Sequence, residues 1–269
     1  LLQKIGFIAL TSGVFAGMLK AIQFTGLFKE ELTKIISGTE FLKNRKDLPD
    51  LWKKISKSIY EEKFPEISDL LENRILDTYL PIETNHYNED FITSIIIHDI
   101  SDDFVINYTQ TNVYNAILNK KNQNSKIGYT ETITDDNGVE EKNAILSFQI
   151  DNEEIDLEKC REVIRENGKI KHKHEVSIEG KSKFKIFMKF NNTYSLKGEN
   201  YKLIRFNTIT KNVDITVSYP ENIDVSFFNI GLVNEFESIH TDIKNTLNRR
   251  HRDDLILPKQ GFGLSFNKN

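Results

Sequence analysis

The sequence predicts an α+β protein in which an N-terminal transmembrane helix and a helical stalk precede an antiparallel β-sandwich or barrel-like domain. Three observations support this prediction: a long apolar segment near the N-terminus, helical spacing of apolar residues in the segment that follows, and a period-two alternation from about Tyr87 onward. The corresponding domains are residues 1–28, 29–82 and 83–269.

The composition is that of a folded protein with a core. Hydrophobic residues make up 38% of the chain, charged residues 28%, and the net charge is −4. A protein that coats nucleic acid usually has a basic excess, so extended nucleic-acid binding is not expected. The single cysteine, Cys160, cannot form an intramolecular disulfide, which is typical of a reducing compartment.

The apolar segment spans residues 5–28, and Lys20 is its one charged residue. A helix of this length measures about 36 Å, enough to cross the ~30 Å hydrocarbon layer, and a lysine near one end can extend to the headgroups. A buried soluble helix and the remnant of a secretory signal peptide are the alternatives.

Small residues recur at every fourth position of this segment and predict a helix-packing stripe in the membrane. Its members are Ala9, Gly13, Gly17 and Ala21. Such a stripe lets a second helix approach closely, so a homo-oligomer is expected within the lipid bilayer.

Basic residues follow the apolar segment and predict its orientation. The eight that lie closest are Lys29, Lys34, Lys43, Arg45, Lys46, Lys53, Lys54 and Lys57. A Lys/Arg excess marks the cytoplasmic side. We therefore expect a bacterial inner-membrane protein whose C-terminal domain is cytoplasmic.

The predicted stalk contains separate helices. Asp47 precedes a helix that runs to about Lys63, with Pro49 in its first turn, and a further helix follows over residues 66–80 until Pro81 ends it. Each helix has a modest apolar stripe and a charged outer face.

The β-rich domain is predicted from alternation. Its clearest strands are 183–190 and 213–219, and Asp136-Asn137-Gly138 is a hairpin signal between strands 126–134 and 143–150. Further strands are predicted at 91–98, 103–109, 169–178, 201–209, 223–230 and 255–266. The pattern does not distinguish a sandwich from a barrel.

Two segments of this domain have helical spacing. Residues 233–249 carry Phe236, Ile239, Ile243 and Leu247 at helical intervals, which predicts a helix. Residues 154–166 also fit a short helix, but Asn167-Gly168 at its end could instead turn a hairpin. Gly261 and Gly263 lie within a strand and are interpreted as structural.

No catalytic motif and no cofactor motif occurs in the sequence, so we predict a protein that is not an enzyme and has no catalytic residue, metal or cofactor. His172 and His174 share one strand face, which is weak as a metal site without further ligands. His98 with Asp99, Asp102 and Asp103 is interpreted as a polar turn between strands.

The densest basic cluster supplies weak candidates for a ligand-binding site. It comprises Arg249, Arg250 and Arg252. Guanidinium groups bind phosphate well, whereas a solvated helix end is the ordinary interpretation of such a cluster.

Three stretches together resemble bacterial membrane proteins that have one or two N-terminal spans and a cytosolic β-rich domain. They are the small-residue span at 5–28, FLKNRKDLPDLWKKISKSIYEEKFPEI at 41–67 and DLILPKQGFGLSF at 254–266. The plan is similar to the two-span β-rich effectors of nucleotide-signalling antiphage systems. The resemblance implies a domain that senses a nucleotide-like signal or a protein partner, and spans that self-associate to act on the membrane.

The leading hypothesis from sequence is therefore a membrane-anchored effector or sensor, with a role in antiviral defence. A passive membrane-tethered binding or assembly module is the first alternative. An enzyme whose active site is assembled from scattered residues is the second.

Overall fold

The computed structural model describes residue 38 and residues 47–79, 84–119, 124–134, 142–166, 169–197 and 200–268. The chain divides into two units, Leu1–Asn73 and Arg74–Asn269. Two α-helices are described, α1 over Leu48–Lys63 and α2 over Ser68–Tyr79, with a 3-10 turn at Pro65–Ile67 between them.

Fourteen strands make up most of the described chain. They are β1 (His86–Ile100), β2 (Val105–Leu118), β3 (Asn124–Thr134), β4 (Lys142–Ile150), β5 (Glu153–Glu154), β6 (Arg161–Glu166), β7 (Lys169–Glu179), β8 (Lys183–Ser195), β9 (Tyr201–Arg205), β10 (Thr210–Ser218), β11 (Ile223–Ile230), β12 (Glu237–Ile239), β13 (Thr246–Ile256) and β14 (Gly261–Lys268).

The predicted α+β class is wrong, because the structure is mostly β, with strands over 61% of it. Within the part of the chain that the structure describes, no helix is both long and apolar enough to span a bilayer. The helices α1 and α2 have 16 and 12 residues, and charged residues occur on successive turns of each. The predicted span and its stripe of Ala9, Gly13, Gly17 and Ala21 lie outside the described residues.

The helices α1 and α2 follow the local signals of their sequence. Asp47 precedes α1 and Pro49 occupies its first turn, as predicted, although the Asp47 side chain makes no capping hydrogen bond. Lys57 of α1 forms an ion pair with Asp69 of α2, with 3.0 Å between Nζ and Oδ1. Trp52, Ile55 and Ile59 on α1 are each about half exposed.

The strands form one large sheet and two small ones. The large sheet has eight strands in the order β12-β13-β10-β1-β2-β8-β4-β5. It is mixed, because β1 and β10 run parallel, so the predicted all-antiparallel arrangement is wrong at this pair. The small sheets have the orders β11-β14-β9 and β3-β7-β6.

Both small sheets cover the same face of the large sheet. Alternate residues of β8, Phe184, Ile186, Met188 and Phe190, are buried, while the lysines between them are on the other face. One core cluster joins β1, β2 and β10 to the sheet of β11, β14 and β9. A second joins β2, β8 and β4 to the sheet of β3 and β7.

Local sequence signals were overridden at two predicted helices. The predicted helix 233–249 is absent, and β12 and the start of β13 occupy this range. Phe236 packs in the core at 7% exposure whereas Ile243 is 69% exposed, so the helical spacing did not describe one buried face. The only helical element within residues 154–166 is a 3-10 turn at Leu157–Cys160. Strand β6 pairs antiparallel with β7 on either side of Asn167-Gly168, the alternative that the sequence left open.

The predicted hairpin at Asp136-Asn137-Gly138 is also wrong. The strands β3 and β4 exist, but β3 pairs with β7 and β4 pairs with β8, in different sheets. A turn signal specifies where the chain reverses and leaves open whether the two strands stay together in one sheet.

Gly261 and Gly263 are structural, as predicted. A Cβ at Gly261 would overlap the backbone oxygen of Ile204 on β9, and a Cβ at Gly263 would overlap the ring of Phe228. Phe228 is the cross-strand partner of Gly263, so the aromatic ring lies over the bare backbone.

We predict that Gly263→Ala lowers the free energy of unfolding by about 1–3 kcal/mol, because the new methyl group collides with the Phe228 ring. Chemical denaturation of the purified chain would measure it. Phe228→Ala in the same chain should recover part of the loss, since it removes the colliding ring. Equal stability of Gly263→Ala and the wild type would contradict the proposed contact.

Candidate functional site

A cleft of about 380 Å³ lies on the inner face of the large sheet, between the two small sheets. Strands β1, β2 and β8 form its floor, β3 and β7 form one wall, and β9 with the segment before β10 forms the other. The size is at the lower end of the range for small-molecule sites.

The floor of the cleft carries a band of amide side chains where the two apolar core clusters stop. Asn112 on β2 is the centre of this band, and its Oδ1 accepts hydrogen bonds from Thr93 Oγ1 at 2.7 Å and from Gln110 Nε2 at 3.1 Å. Asn112 is 7% exposed. Because its oxygen serves two protein donors, its amide nitrogen is the group that it can offer to a ligand.

Asn88 is the most informative residue of the floor. It is 8% exposed, and within the described part of the chain no donor reaches its buried Oδ1. A buried acceptor without a partner costs about 1–3 kcal/mol, so native proteins rarely keep one without a reason. A ligand with an N–H or O–H group on the cleft floor would supply the missing donor.

A β-bulge places Asn88 and Phe91 on the same face of β1, the face that lines the cleft. The register of β1 against β2 shifts between Glu89 and Ile92, and Asp90 within this shift has a φ of 54°. Without the extra residue, positions 88 and 91 would point to opposite faces. Asp90 Oδ1 accepts a hydrogen bond of 3.1 Å from Asn212 Nδ2, beside the register shift in β10.

Aromatic rings border the amide band. Phe91 stacks on Tyr114 with 5.0 Å between ring centroids and 16° between planes. Phe206 meets Phe91 edge-on at 5.1 Å. Burial raises the pKa of the Tyr114 hydroxyl far above its usual value, so this ring is neutral at physiological pH. A flat ring could therefore bind against apolar aromatic edges while its polar rim faces the amides.

His86 closes one end of the floor. Its Nδ1 lies 2.8 Å from Ser125 Oγ on β3 and forms a hydrogen bond with it. Burial lowers the pKa of His86 to about 4 because the imidazolium would lose its hydration there. The histidine is therefore neutral at pH 7.

Charged side chains stand at the rim of the cleft. Glu175 on β7 lies between two lysines, with Oε1 2.9 Å from Lys173 Nζ and Oε2 3.8 Å from Lys126 Nζ. Arg205, at the end of β9, lines the opposite wall. The four groups together have a net positive charge.

Both walls also present strand edges. Strand β3 is an outer strand of its sheet and β9 is an outer strand of the other, so over the described residues each has one edge without a neighbouring strand. Backbone N–H and C=O groups along such edges are available to a ligand.

The basic residues predicted as weak ligand-binding candidates lie outside this cleft. Arg249, Arg250 and Arg252 are on strand β13. Arg250 Nε donates to Asp214 Oδ1 at 2.9 Å, and Arg252 bonds the other oxygen of the same carboxylate. Arg249 donates to Ser238 Oγ at 2.8 Å and lies over the Phe227 ring.

Two of the histidines singled out in the sequence, His98 and His174, lie on different sheets, and the side chain of His172 lies outside the described residues. His98 is exposed and bonds Thr109 Oγ1 at 2.8 Å, whereas His174 is buried and its Nδ1 lies 3.2 Å from the backbone oxygen of Leu157. Asp102 forms an ion pair with Lys268, with 2.6 Å between Oδ1 and Nζ. The described residues contain no group of His, Cys, Asp and Glu side chains arranged to hold a metal ion.

Sequence reasoning missed every residue of the cleft floor. Asn88, Gln110 and Asn112 lie in parts of β1 and β2 beyond the strands predicted at 91–98 and 103–109, and three amides at inward positions were the available signal. The bulge in β1 breaks the alternation at Asn88, which obscured that signal.

Comparisons with known proteins identify no family. No family model and no curated protein matches the chain. Solved structures that align with it include leukotriene A4 hydrolase from Saccharomyces cerevisiae, at 12% identity over 68% of this chain and 30% of that one, with a TM-score of 0.38. An M1 zinc metallopeptidase from Deinococcus radiodurans aligns at 7% identity over 71% of this chain and 45% of that one, with a TM-score of 0.35.

A third alignment is with aminopeptidase A from Legionella pneumophila, at 11% identity over 69% of this chain and 22% of that one, with a TM-score of 0.35. The chain spans less than half the length of these three structures. Similarity at this level carries no argument about the fold or the activity of the chain.

We predict that His86 makes the protein less stable in mild acid. Because its pKa is about 4 when folded and about 6.5 when unfolded, the unfolded state binds more protons between these values. The stability present above pH 6.5 is therefore lost as the pH falls towards 4. Urea denaturation of the wild type and His86→Gln at pH 7 and pH 4.5 should show a smaller loss for the variant, by roughly 1–3 kcal/mol. Equal losses would contradict a buried neutral His86.

Proposed function

We propose that the unit Arg74–Asn269 is a receptor domain that binds a small nucleotide-like signal in the cleft between its two small sheets. The unpartnered Oδ1 of Asn88 on the cleft floor is the observation that carries this proposal. Desolvating an acceptor without a donor is unfavourable, and a ligand that supplies the donor recovers this free energy.

The chemistry of the cleft suits a flat heterocycle. Asn88 presents an acceptor and Asn112 an amide donor, and an asparagine amide reads the donor and acceptor edge of a base such as adenine. Phe91 and Phe206 supply aromatic surface next to these amides. The basic rim suits an anionic substituent on the same ligand.

The proposal concerns ligand binding alone. The output expected from the sequence, in which membrane helices self-associate and act on the bilayer, depends on residues 1–28, outside the described residues. That role, the antiviral setting and the cytoplasmic location stay predictions.

An extended peptide is a second candidate, favoured by the open edges of β3 and β9 along the cleft. A peptide strand can pair with such an edge through backbone hydrogen bonds, and the rim charges would select its side chains. The two candidates differ in what they require of the floor, because a peptide bound along β3 does not need the Asn88 acceptor.

We predict that Asn88→Leu separates stability from binding. Removing the unpartnered amide should leave the free energy of unfolding unchanged or raise it by up to about 1 kcal/mol, since no protein hydrogen bond is lost. Binding of a nucleoside or nucleotide should weaken about tenfold or more. Thermal shift and titration calorimetry of the full chain with a panel of nucleosides, nucleotides and short peptides would measure both quantities.

Asn107→Leu is the matched control. Asn107 on β2 also has a buried Oδ1 without a partner among the described residues, but it does not line the cleft. Its replacement should leave binding unchanged. The proposal fails if no nucleoside or nucleotide binds, or if the compound that binds has the same affinity for Asn88→Leu as for the wild type.

A further inference from the structure

We infer that Glu175 is a specificity-determining residue of this cleft, which makes the rim select a doubly charged phosphate monoester over a singly charged or neutral group. The inference rests on the proposed receptor function and adds the charge of the ligand to it. It derives from the position of Glu175 between the two rim lysines.

The carboxylate of Glu175 engages both lysines at once. Its Oε1 contacts Lys173, two residues earlier on the same strand face, and its Oε2 faces Lys126 on the neighbouring strand β3. All three side chains line the cleft. Lys126 is 67% exposed and Glu175 35% exposed, so solvent and an incoming ligand can both reach this rim.

Gly128 allows Glu175 to lie across β3. The two residues are direct cross-strand partners, and a Cβ on Gly128 would be 3.2 Å from Glu175 Cγ and 3.1 Å from the backbone oxygen of His174. With a larger residue at this position, the glutamate side chain would have to move. The bare backbone of Gly128 therefore leaves room for the Glu175 side chain in this position.

The charged groups at and near the rim, taken together, leave a modest positive excess. Arg205 is on the opposite wall, and neutral His86 is on the floor. Glu162 on β6 is the cross-strand partner of Lys173, and its side chain is exposed. A ligand anion at this rim therefore competes with Glu175 for Lys126 and Lys173.

Charge decides that competition. A phosphate monoester carries about −1.5 to −2 at pH 7 and has three acceptor oxygens, so it attracts the lysines more strongly than one carboxylate does. A phosphodiester or a carboxylate carries a single negative charge, so its electrostatic attraction to the lysines is no stronger than that of Glu175. A neutral nucleoside gains nothing from the lysines.

Calorimetry on the full chain would test this inference with three ligands that share one base: a nucleoside, its 5′-monophosphate, and the methyl phosphodiester of that monophosphate. Each of the four common bases would be tried. In the wild type we expect the monophosphate to bind about tenfold or more tightly than the other two. In Glu175→Gln the diester should gain about three- to tenfold, because the neutral amide no longer attracts either lysine, while the nucleoside stays unchanged.

Glu179→Gln is the matched control, because Glu179 is exposed on the same strand and does not line the cleft. Its replacement should leave the three affinities as they are.

Equal binding of nucleoside, diester and monophosphate to the wild type would overturn the role of Glu175 while leaving the receptor proposal intact. Failure of all three ligands to bind would instead overturn the receptor proposal. An equal gain for all three ligands in Glu175→Gln would also overturn the inference, because it would indicate a change in packing rather than in charge.

Discussion

Burial of one face of the eight-stranded sheet is the constraint on which the rest of the structure depends. Every strand of this sheet exposes alternate residues to opposite sides, and the apolar side must be covered. Two separate three-stranded sheets do this, each over its own part of the face. The two small sheets leave a strip of this face uncovered between them, and the cleft lies over that strip. Its floor can hold Asn88, Gln110 and Asn112 because neither small sheet requires an apolar partner there.

The bulge in β1 turns this strip into a site. It brings Asn88 and Phe91 to the same face, and the Asp90–Asn212 hydrogen bond links β1 to its neighbour β10 at the bulge itself. Asp90 and Asn212 both have positive φ angles. This backbone conformation costs less energy for Asp and Asn than for most other residues. Bulges frequently re-aim side chains next to functional sites, and this one has that effect.

The cleft combines groups that are neutral with groups that are charged, at different depths. Burial keeps His86 and Tyr114 uncharged on the floor, where an isolated charge would be poorly solvated. The lysines and Glu175 stay at the rim, where water reaches them. Such a gradient suits a ligand whose flat polar part lies deep and whose charged part stays near solvent. Isolated ion pairs on the surface add little stability, so stability alone does not account for the position of Glu175 between the two lysines.

Local sequence patterns by themselves determined where most strands lie and which of their faces is buried, as in β8 and β10, and they located helix α1 to within a residue. The alternation of apolar and polar residues and the capping of helices depend on residues that are close in the chain, so both can be read from the sequence. Only the tertiary structure decided that β1 and β10 are parallel partners, that β3 and β4 part into different sheets, and that residues 233–249 are not helical. The cleft belongs to this second group. Its residues come from strands as distant in sequence as β1 and β9, and they meet only because two small sheets cover one face of a larger sheet and leave a gap between them.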